Sequence, residues 1–199
     1  MQNKSVVITI SLFLAVLFLA TIGDSLVGYA ILDSSKATLA DYPNVLFGAS
    51  LGYSTQSLYI VTSDNPTVTE KKVAKITADF LKKQGKRPLP PKIKTVSEFS
   101  RMKNTKATNL VLIGDACTNP LIGEIFRTSE CTLGLRNDQG MIKLVSQGKR
   151  QIVGITGGSL RSIENTAKVL ASGAFPLSGR EVIIEGNSNN ILGLTLRQR

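Results

Sequence analysis

Few residues of this chain are of a type and spacing that could do chemistry. Asp64 and Asp115 each follow a short apolar run, and Thr118 lies just beyond the second. In open α/β sheets, ligands bind outside the carboxyl ends of the strands, so these two carboxylates could share a cation there. Calcium, however, takes about 6–8 oxygen ligands, and no further acidic cluster supplies them. We therefore interpret Asp64 and Asp115 as turn and cap residues, with no bound metal or cofactor.

The sequence contains no histidine. Histidine is the commonest general base and the commonest zinc ligand. Its absence excludes Ser-His-Asp and Cys-His arrangements. An exported α/β enzyme would need Asp64, Asp115 and Thr118 to converge in one cleft. We expect instead a protein without catalytic activity.

A glycine-containing segment, Gly154–Ser159, joins a predicted strand to a predicted helix. Backbone amides at such a place can hold phosphate. The segment lacks the Lys-Ser/Thr pair of a P-loop and the third glycine of a dinucleotide fingerprint. We interpret it as a tight turn that lets the helix pack on the sheet.

The only two cysteines are Cys117 and Cys131. Outside the cytoplasm, thiols tend to oxidise. A bridge between them would close a loop of about 15 residues and contribute roughly 3 kcal/mol in the chain-entropy model. The alternative is two unpaired buried thiols. The redox argument favours the disulfide.

The redox argument depends on the start of the chain, where an apolar run from Val6 to Ile22 follows Lys4. Its length lies between that of a secretory signal and that of a membrane-spanning helix. Small residues suit cleavage after Gly23 or Ala30; without cleavage, the run is a single N-terminal anchor. Lys4 lies on the short, N-terminal side of the apolar run. Because positive charge tends to stay on the cytoplasmic side, the remainder of the chain is placed outside the cell in either case.

The formal net charge is +10, and most of it lies between Lys82 and Lys106, where nine basic residues accompany one acid, Glu98. Phe99 is the one aromatic residue in this stretch, whereas nucleic-acid binding normally needs several. We predict a face that binds an acidic polymer, anionic lipid or acid-rich protein, and no nucleic acid. A solvated charge run is the alternative. The candidate residues are Lys82, Lys83, Lys86, Arg87, Lys92, Lys94, Arg101 and Lys103.

The elements that position these residues alternate between strand and helix patterns. Predicted strands are Leu58–Thr62, Ile93–Phe99, Asn109–Gly114, Met141–Val145, Gln151–Ile155 and Glu181–Glu185. Helices are predicted from about Val73 to Gly85, from Asn119–Pro120 onward and over Leu160–Ala171. This order predicts an α/β fold with a mostly parallel sheet and helices on both faces, preceded by an N-terminal hydrophobic export or anchor helix.

The predicted organisation has four parts. Residues 1–30 form the signal peptide or membrane anchor, and residues 31–57 form a lead-in segment. Residues 58–186 form one α/β domain. Residues 187–199 form a peripheral C-terminal tail.

Several motifs occur in the order seen in one family. They are Leu39–Pro43, Asn109–Gly114, Ala116–Pro120, Gly140–Leu144, Ile152–Leu170 and Leu177–Val182. Over roughly Leu39 to Gly186, the chain resembles the domains of archaeal S-layer proteins. Lattice-forming members are usually much larger, so the resemblance implies an accessory or envelope-attached protein.

Together these features predict an exported, structural or envelope-interaction protein of the archaeal cell surface. Its expected partners are other envelope or S-layer proteins, acidic surface polymers, and the membrane through the N-terminal segment. A second hypothesis is a binding module for an acidic cell-envelope glycan or polymer, acting through the basic face.

Overall fold

A computed structural model describes residues 36–47, 57–84, 90–103, 105, 108–148, 150–188 and 190–198. The predicted signal peptide or anchor, residues 1–30, lies outside these residues. Within the described part of the chain, no helix is long and apolar enough to cross a bilayer.

The described residues form seven strands and five α-helices. The strands are β1 (Leu58–Thr62), β2 (Lys92–Thr95), β3 (Asn109–Ile113), β4 (Gln139–Gln147), β5 (Arg150–Gly157), β6 (Glu181–Glu185) and β7 (Thr195–Gln198). The α-helices are α1 (Asn44–Phe47), α2 (Val68–Gln84), α3 (Val96–Ser100), α4 (Pro120–Phe126) and α5 (Leu160–Ser172). Two 3-10 helices are formed by Leu39–Asp41 and Ile191–Gly193.

All seven described strands form one sheet in the order β2-β1-β3-β5-β4-β6-β7. The pairs β1–β2, β1–β3 and β3–β5 are parallel, and the pairs β4–β5, β4–β6 and β6–β7 are antiparallel. The α/β class is therefore confirmed, but the sheet is mixed and not mostly parallel. The β4–β5 hairpin makes β4 antiparallel to both of its neighbours, because a two-residue connection can join only antiparallel strands, and β7 adds a third antiparallel pair at the edge.

Helices cover both faces of the sheet, as predicted. Alternate side chains of the central strands, such as Ile60, Val111 and Val153, join α2 and α5 in the larger apolar cluster. Their neighbours, such as Tyr59 and Leu110, join α3 and α4 in the smaller cluster on the other face. Successive strand residues point to opposite faces, so unbroken apolar runs are buried on both sides.

The predicted strand Ile93–Phe99 is wrong in its second half. The strand β2 ends at Thr95, and α3 begins at Val96. Thr95 and Glu98 form a reciprocal capping box in which the hydroxyl of Thr95 accepts from the amide of Glu98 at 3.3 Å. This Thr-x-x-Glu spacing is a helix start, and it outweighs the β-branched character of the segment.

Glu181–Glu185 is not the last strand, because β7 pairs with β6 as a further antiparallel strand. Leu194, just before β7, is buried in the larger cluster. The tail therefore belongs to the sheet and is not peripheral. The central residues of β6, Val182–Ile184, are fully buried, and a partner strand satisfies their backbone groups.

Part of the predicted lead-in segment also belongs to the core. The side chains of Leu39 and Leu46 are among the largest that are fully buried. The amide of Leu39 donates to the carbonyl of Gly179 at 2.7 Å, and the carbonyl of Leu46 accepts from the side chain of Asn109 at 2.8 Å. Residues 36–47 therefore close the end of the sheet where the parallel strands begin.

Candidate functional site

The order of the strands reverses between β1 and β3. From β1 the chain passes outward to β2, and it then returns to the opposite side of β1 as β3. In open α/β sheets, ligands bind at such a switch point, outside the carboxyl ends of the strands. The segments that follow β1 and β3 therefore border the position where an open α/β sheet would hold a ligand.

The side chain of Asn119 fills the gap between the ends of these two strands. It is completely buried, and its Nδ2 donates to the carbonyls of Val61 and Ile113, both at 3.1 Å. Its Oδ1 is buried without a protein partner. Asn119 thus links β1 to β3 at the point where they diverge.

Glu70, in the first turn of α2, is the second buried polar residue here. Its Oε2 accepts from the amide of Thr67 at 2.7 Å and from the hydroxyl of Ser63 at 3.2 Å. Its Oε1 has no partner and lies against Gly114. A Cβ on Gly114 would be 2.9 Å from that oxygen, and the φ of +123° also favours glycine.

Asp64 and Asp115 are engaged with different segments. The two oxygens of Asp64 accept from the amide and the hydroxyl of Ser97 at 2.7 Å each, at the start of α3. These hydrogen bonds, the main-chain one first, hold the pKa of Asp64 below its ordinary value. Oδ1 of Asp115 accepts from the amides of Cys117 and Thr118 at 2.9 and 2.8 Å within its own loop.

These contacts give both carboxylates the turn and cap roles expected from the sequence. Across the described residues, no group of three or more His, Cys, Asp or Glu side chains is arranged to hold a metal ion. The switch point is occupied mainly by the protein's own polar side chains, which bond to the backbone around them.

The disulfide between Cys117 and Cys131 is present, as predicted, and the two residues are 14 positions apart. It joins the loop after β3 to the segment that follows α4. The amide of Ala116 also donates to the carbonyl of Cys131 at 2.9 Å. Leu133, two residues further on, packs against the smaller cluster. The covalent link therefore holds residues 127–138 against the same edge of the sheet.

The turn at Gly157–Ser159 is packed against this segment. The amide of Gly158 donates to the carbonyl of Gln139 at 2.9 Å, and the hydroxyl of Ser159 donates to the carbonyl of Asn137 at 2.6 Å. A Cβ on Gly158 would collide with the main chain of Arg136. Its amide and hydroxyl donors are thus used within the protein, in agreement with the tight-turn interpretation.

The described basic candidates separate into two groups. Lys82 and Lys83 are exposed at the end of α2, which packs on the larger cluster. On β2, Lys92 and Lys94 are in register with Tyr59 and Val61 of β1. The side chains of Tyr59 and Val61 belong to the smaller cluster, which lies on the face of the sheet that carries α3. Cross-strand partners project to the same face.

Arg101 and Lys103 are exposed just after α3 and so extend the second group. Lys94 forms an ion pair with Glu98 at 3.7 Å. Lys86 and Arg87 lie outside the described residues. The two groups therefore flank the β2 edge on opposite sides and do not share one face.

A groove that the sequence does not reveal lies between the ends of α2 and α5. Its volume is about 620 Å³. The rings of Tyr42 and Phe80 stack in its wall, with centroids 5.9 Å apart, and Phe175 adds a third aromatic side chain. Lys83 and Gln84 line its rim. Burial raises the pKa of the Tyr42 hydroxyl far above its ordinary value.

No protein-family model matches the chain, and a search of curated proteins finds no significant match. The resemblance to archaeal S-layer domains therefore stays a prediction that rests on the motifs themselves.

Proposed function

We propose that this protein is an exported, S-layer-like protein of the archaeal cell surface that acts by contact with other envelope components and not by catalysis. The Cys117–Cys131 disulfide is the observation that carries the proposal. Such bonds persist in oxidising compartments and are rare in the cytosol of most organisms. The apolar segment from Val6 to Ile22 supplies the route of export.

The geometry of the switch point supports the same proposal. Asn119 and Glu70 lie in the crevice where open α/β proteins usually hold ligands, and Nδ2 of Asn119 and Oε2 of Glu70 bond to the surrounding backbone. Asp64 and Asp115 serve as caps for separate segments. A fold with this crevice filled suits a rigid unit of the cell surface.

Fractionation of cells that express a tagged chain tests the proposal. We expect the protein in the envelope fraction or the medium, with an intact mass that rises by two hydrogens on reduction. A Cys117→Ser variant should show no such rise, which identifies the bond. Recovery of the native chain reduced, full-length and cytosolic would contradict the proposal.

A second candidate function is binding of an acidic envelope polymer. The observation that favours it is the basic group on the face of α3, formed by Lys92, Lys94, Arg101 and Lys103, all at least partly exposed. Charges of one sign on one surface attract a polyanion and speed its association. Retention of the chain on purified envelopes should fall when Lys92, Lys94 and Lys103 are replaced by serine.

A further inference from the structure

The groove between the ends of α2 and α5 combines an apolar wall with a basic rim. Its wall contains the stacked rings of Tyr42 and Phe80, and the half-buried Phe175 lies beside them. Lys83 lines the rim, and Lys82 is exposed next to it. Nearby acids are Asp79, exposed on α2, and Asp41, whose carboxylate accepts from the amide of Thr38 at 2.9 Å.

The N-terminal side of the described fold lies at this groove. Leu39 and Ala40 line the groove, and Lys36, three residues before Leu39 on the same segment, is exposed. The apolar run ends at Ile22, so 13 residues separate it from Lys36. At full extension those residues span at most about 45 Å. In an anchored chain, a linker of this length allows the groove to reach the bilayer.

We propose that this groove is a docking site for the surface of an anionic lipid bilayer. Phe80 and Phe175 would contact the boundary between head groups and acyl chains, where segments that lie on a membrane surface bury phenylalanine and other apolar side chains. Lys36, Lys82 and Lys83 would lie among the phosphates, and each lysine near such a surface contributes about 1 kcal/mol. This inference rests on the proposed function, and in particular on its membrane-anchored form.

The chain contains no tryptophan, so a single introduced tryptophan gives an unambiguous fluorescence signal. Gln84→Trp places the probe at the rim of the groove. Val68→Trp is the matched control, because Val68 is exposed at the opposite end of the same helix. The two positions are about 24 Å apart along α2.

The full-length variants are reconstituted into anionic vesicles that contain brominated lipids. We expect strong quenching at position 84, greatest when the bromine is close to the head group, and little quenching at position 68. Adding Lys82→Ser and Lys83→Ser should shift the docking equilibrium toward the undocked state on the order of thirtyfold. Circular dichroism and formation of the disulfide confirm that each variant is folded.

Equal quenching at both positions, or none at position 84 in protein that floats with the vesicles, would overturn the inference and leave the exported location intact. The inference would also be overturned if the fluorescence change at position 84 required added free anionic amphiphile and did not occur with the bilayer alone. Quenching at position 84 that depends on the protein density in the vesicles, and not on the bromine content, would also overturn the inference. It would indicate that a second copy of the chain occupies the groove. Protein that does not float with vesicles contradicts both this inference and the anchored form.

Discussion

The side-chain amide of Asn119 donates to the main-chain carbonyl of Val61 at 3.1 Å, across the point where the order of the strands reverses. The same amide donates to the carbonyl of Ile113 at the end of β3. A side chain thus replaces the ladder hydrogen bonds that stop where β1 and β3 diverge. In this position Asn119 both stabilises the sheet and fills its crevice.

Replacing Asn119 by alanine should lower the free energy of unfolding by about 3 kcal/mol, because two buried carbonyls lose their donor. Urea unfolding at neutral pH measures the change. Asn137→Ala is the matched control, because that side chain is exposed and a surface substitution usually changes stability by less than about 0.5 kcal/mol. Equal stability of the two variants would contradict the assigned role.

The central strands were predictable because their apolar runs are unbroken. Leu58–Thr62 and Asn109–Ile113 have the composition of strands buried on both faces, and the structure places them side by side in the middle of the parallel half. β7 was not predictable from pattern, since Thr195–Gln198 contains a single apolar residue, Leu196. Its strand state depends on pairing with β6, which is a tertiary contact.

The candidate site was predictable only in part. The disulfide followed from the redox argument. Whether Asp64 and Asp115 face one crevice depends on the groups that donate hydrogen bonds to them, and the sequence does not identify those donors. Thr67 and Glu70 have the Thr-x-x-Glu spacing of a capping box, and this signal could have marked Glu70 as a helix-start residue. The linking role of Asn119 has no local signal, because its acceptors lie on two other segments.

Gly114→Ala should lower the free energy of unfolding by about 3 kcal/mol, since the φ of +123° is strained for alanine and the added Cβ would meet Oε1 of Glu70. Gly148→Ala is the control for alanine at an ordinary left-handed φ in open space. Gly148 has a φ of +60°, and its added Cβ would meet nothing within 4 Å, so we expect a loss of about 1 kcal/mol. Thermal and urea unfolding measure the loss of stability in the two variants. A loss in Gly114→Ala that is no larger than in Gly148→Ala would contradict the close approach to Oε1 of Glu70.

Reduction of the Cys117–Cys131 bond should lower the free energy of unfolding by about 3 kcal/mol, since the open chain regains the entropy of a loop that spans 14 positions. Urea unfolding with and without reductant measures the difference. The Cys117→Ser/Cys131→Ser variant should match the reduced protein and should not respond to reductant. A reductant effect that persists in this variant would have another origin.

The hydrogen bonds between Asp64 and Ser97 should make stability depend on pH. Because the folded pKa of Asp64 lies below its ordinary value of 3.8, the carboxylate stabilises the fold above that value, and this contribution disappears as the pH falls through the lowered folded pKa. Asp64→Asn should therefore be less stable than the native chain at neutral pH and nearly equal to it in strong acid. Urea unfolding across this pH range measures the difference, with the exposed Asp79→Asn as control. A difference that is independent of pH would show that the charge is not involved.

The two basic groups should have separable effects, because they lie on opposite sides of the β2 edge. Replacing Lys92, Lys94 and Lys103 by serine removes charge on the face of α3, whereas replacing Lys82 and Lys83 removes it at the groove. If the face of α3 is the polymer contact, the first variant should elute from an immobilised polyanion at clearly lower salt than the native chain. The second variant should elute close to the native chain, because Lys82 and Lys83 lie at the end of α2, on the other side of the β2 edge. Elution of both variants at the same reduced salt would show that the total charge, and not the face of α3, determines binding.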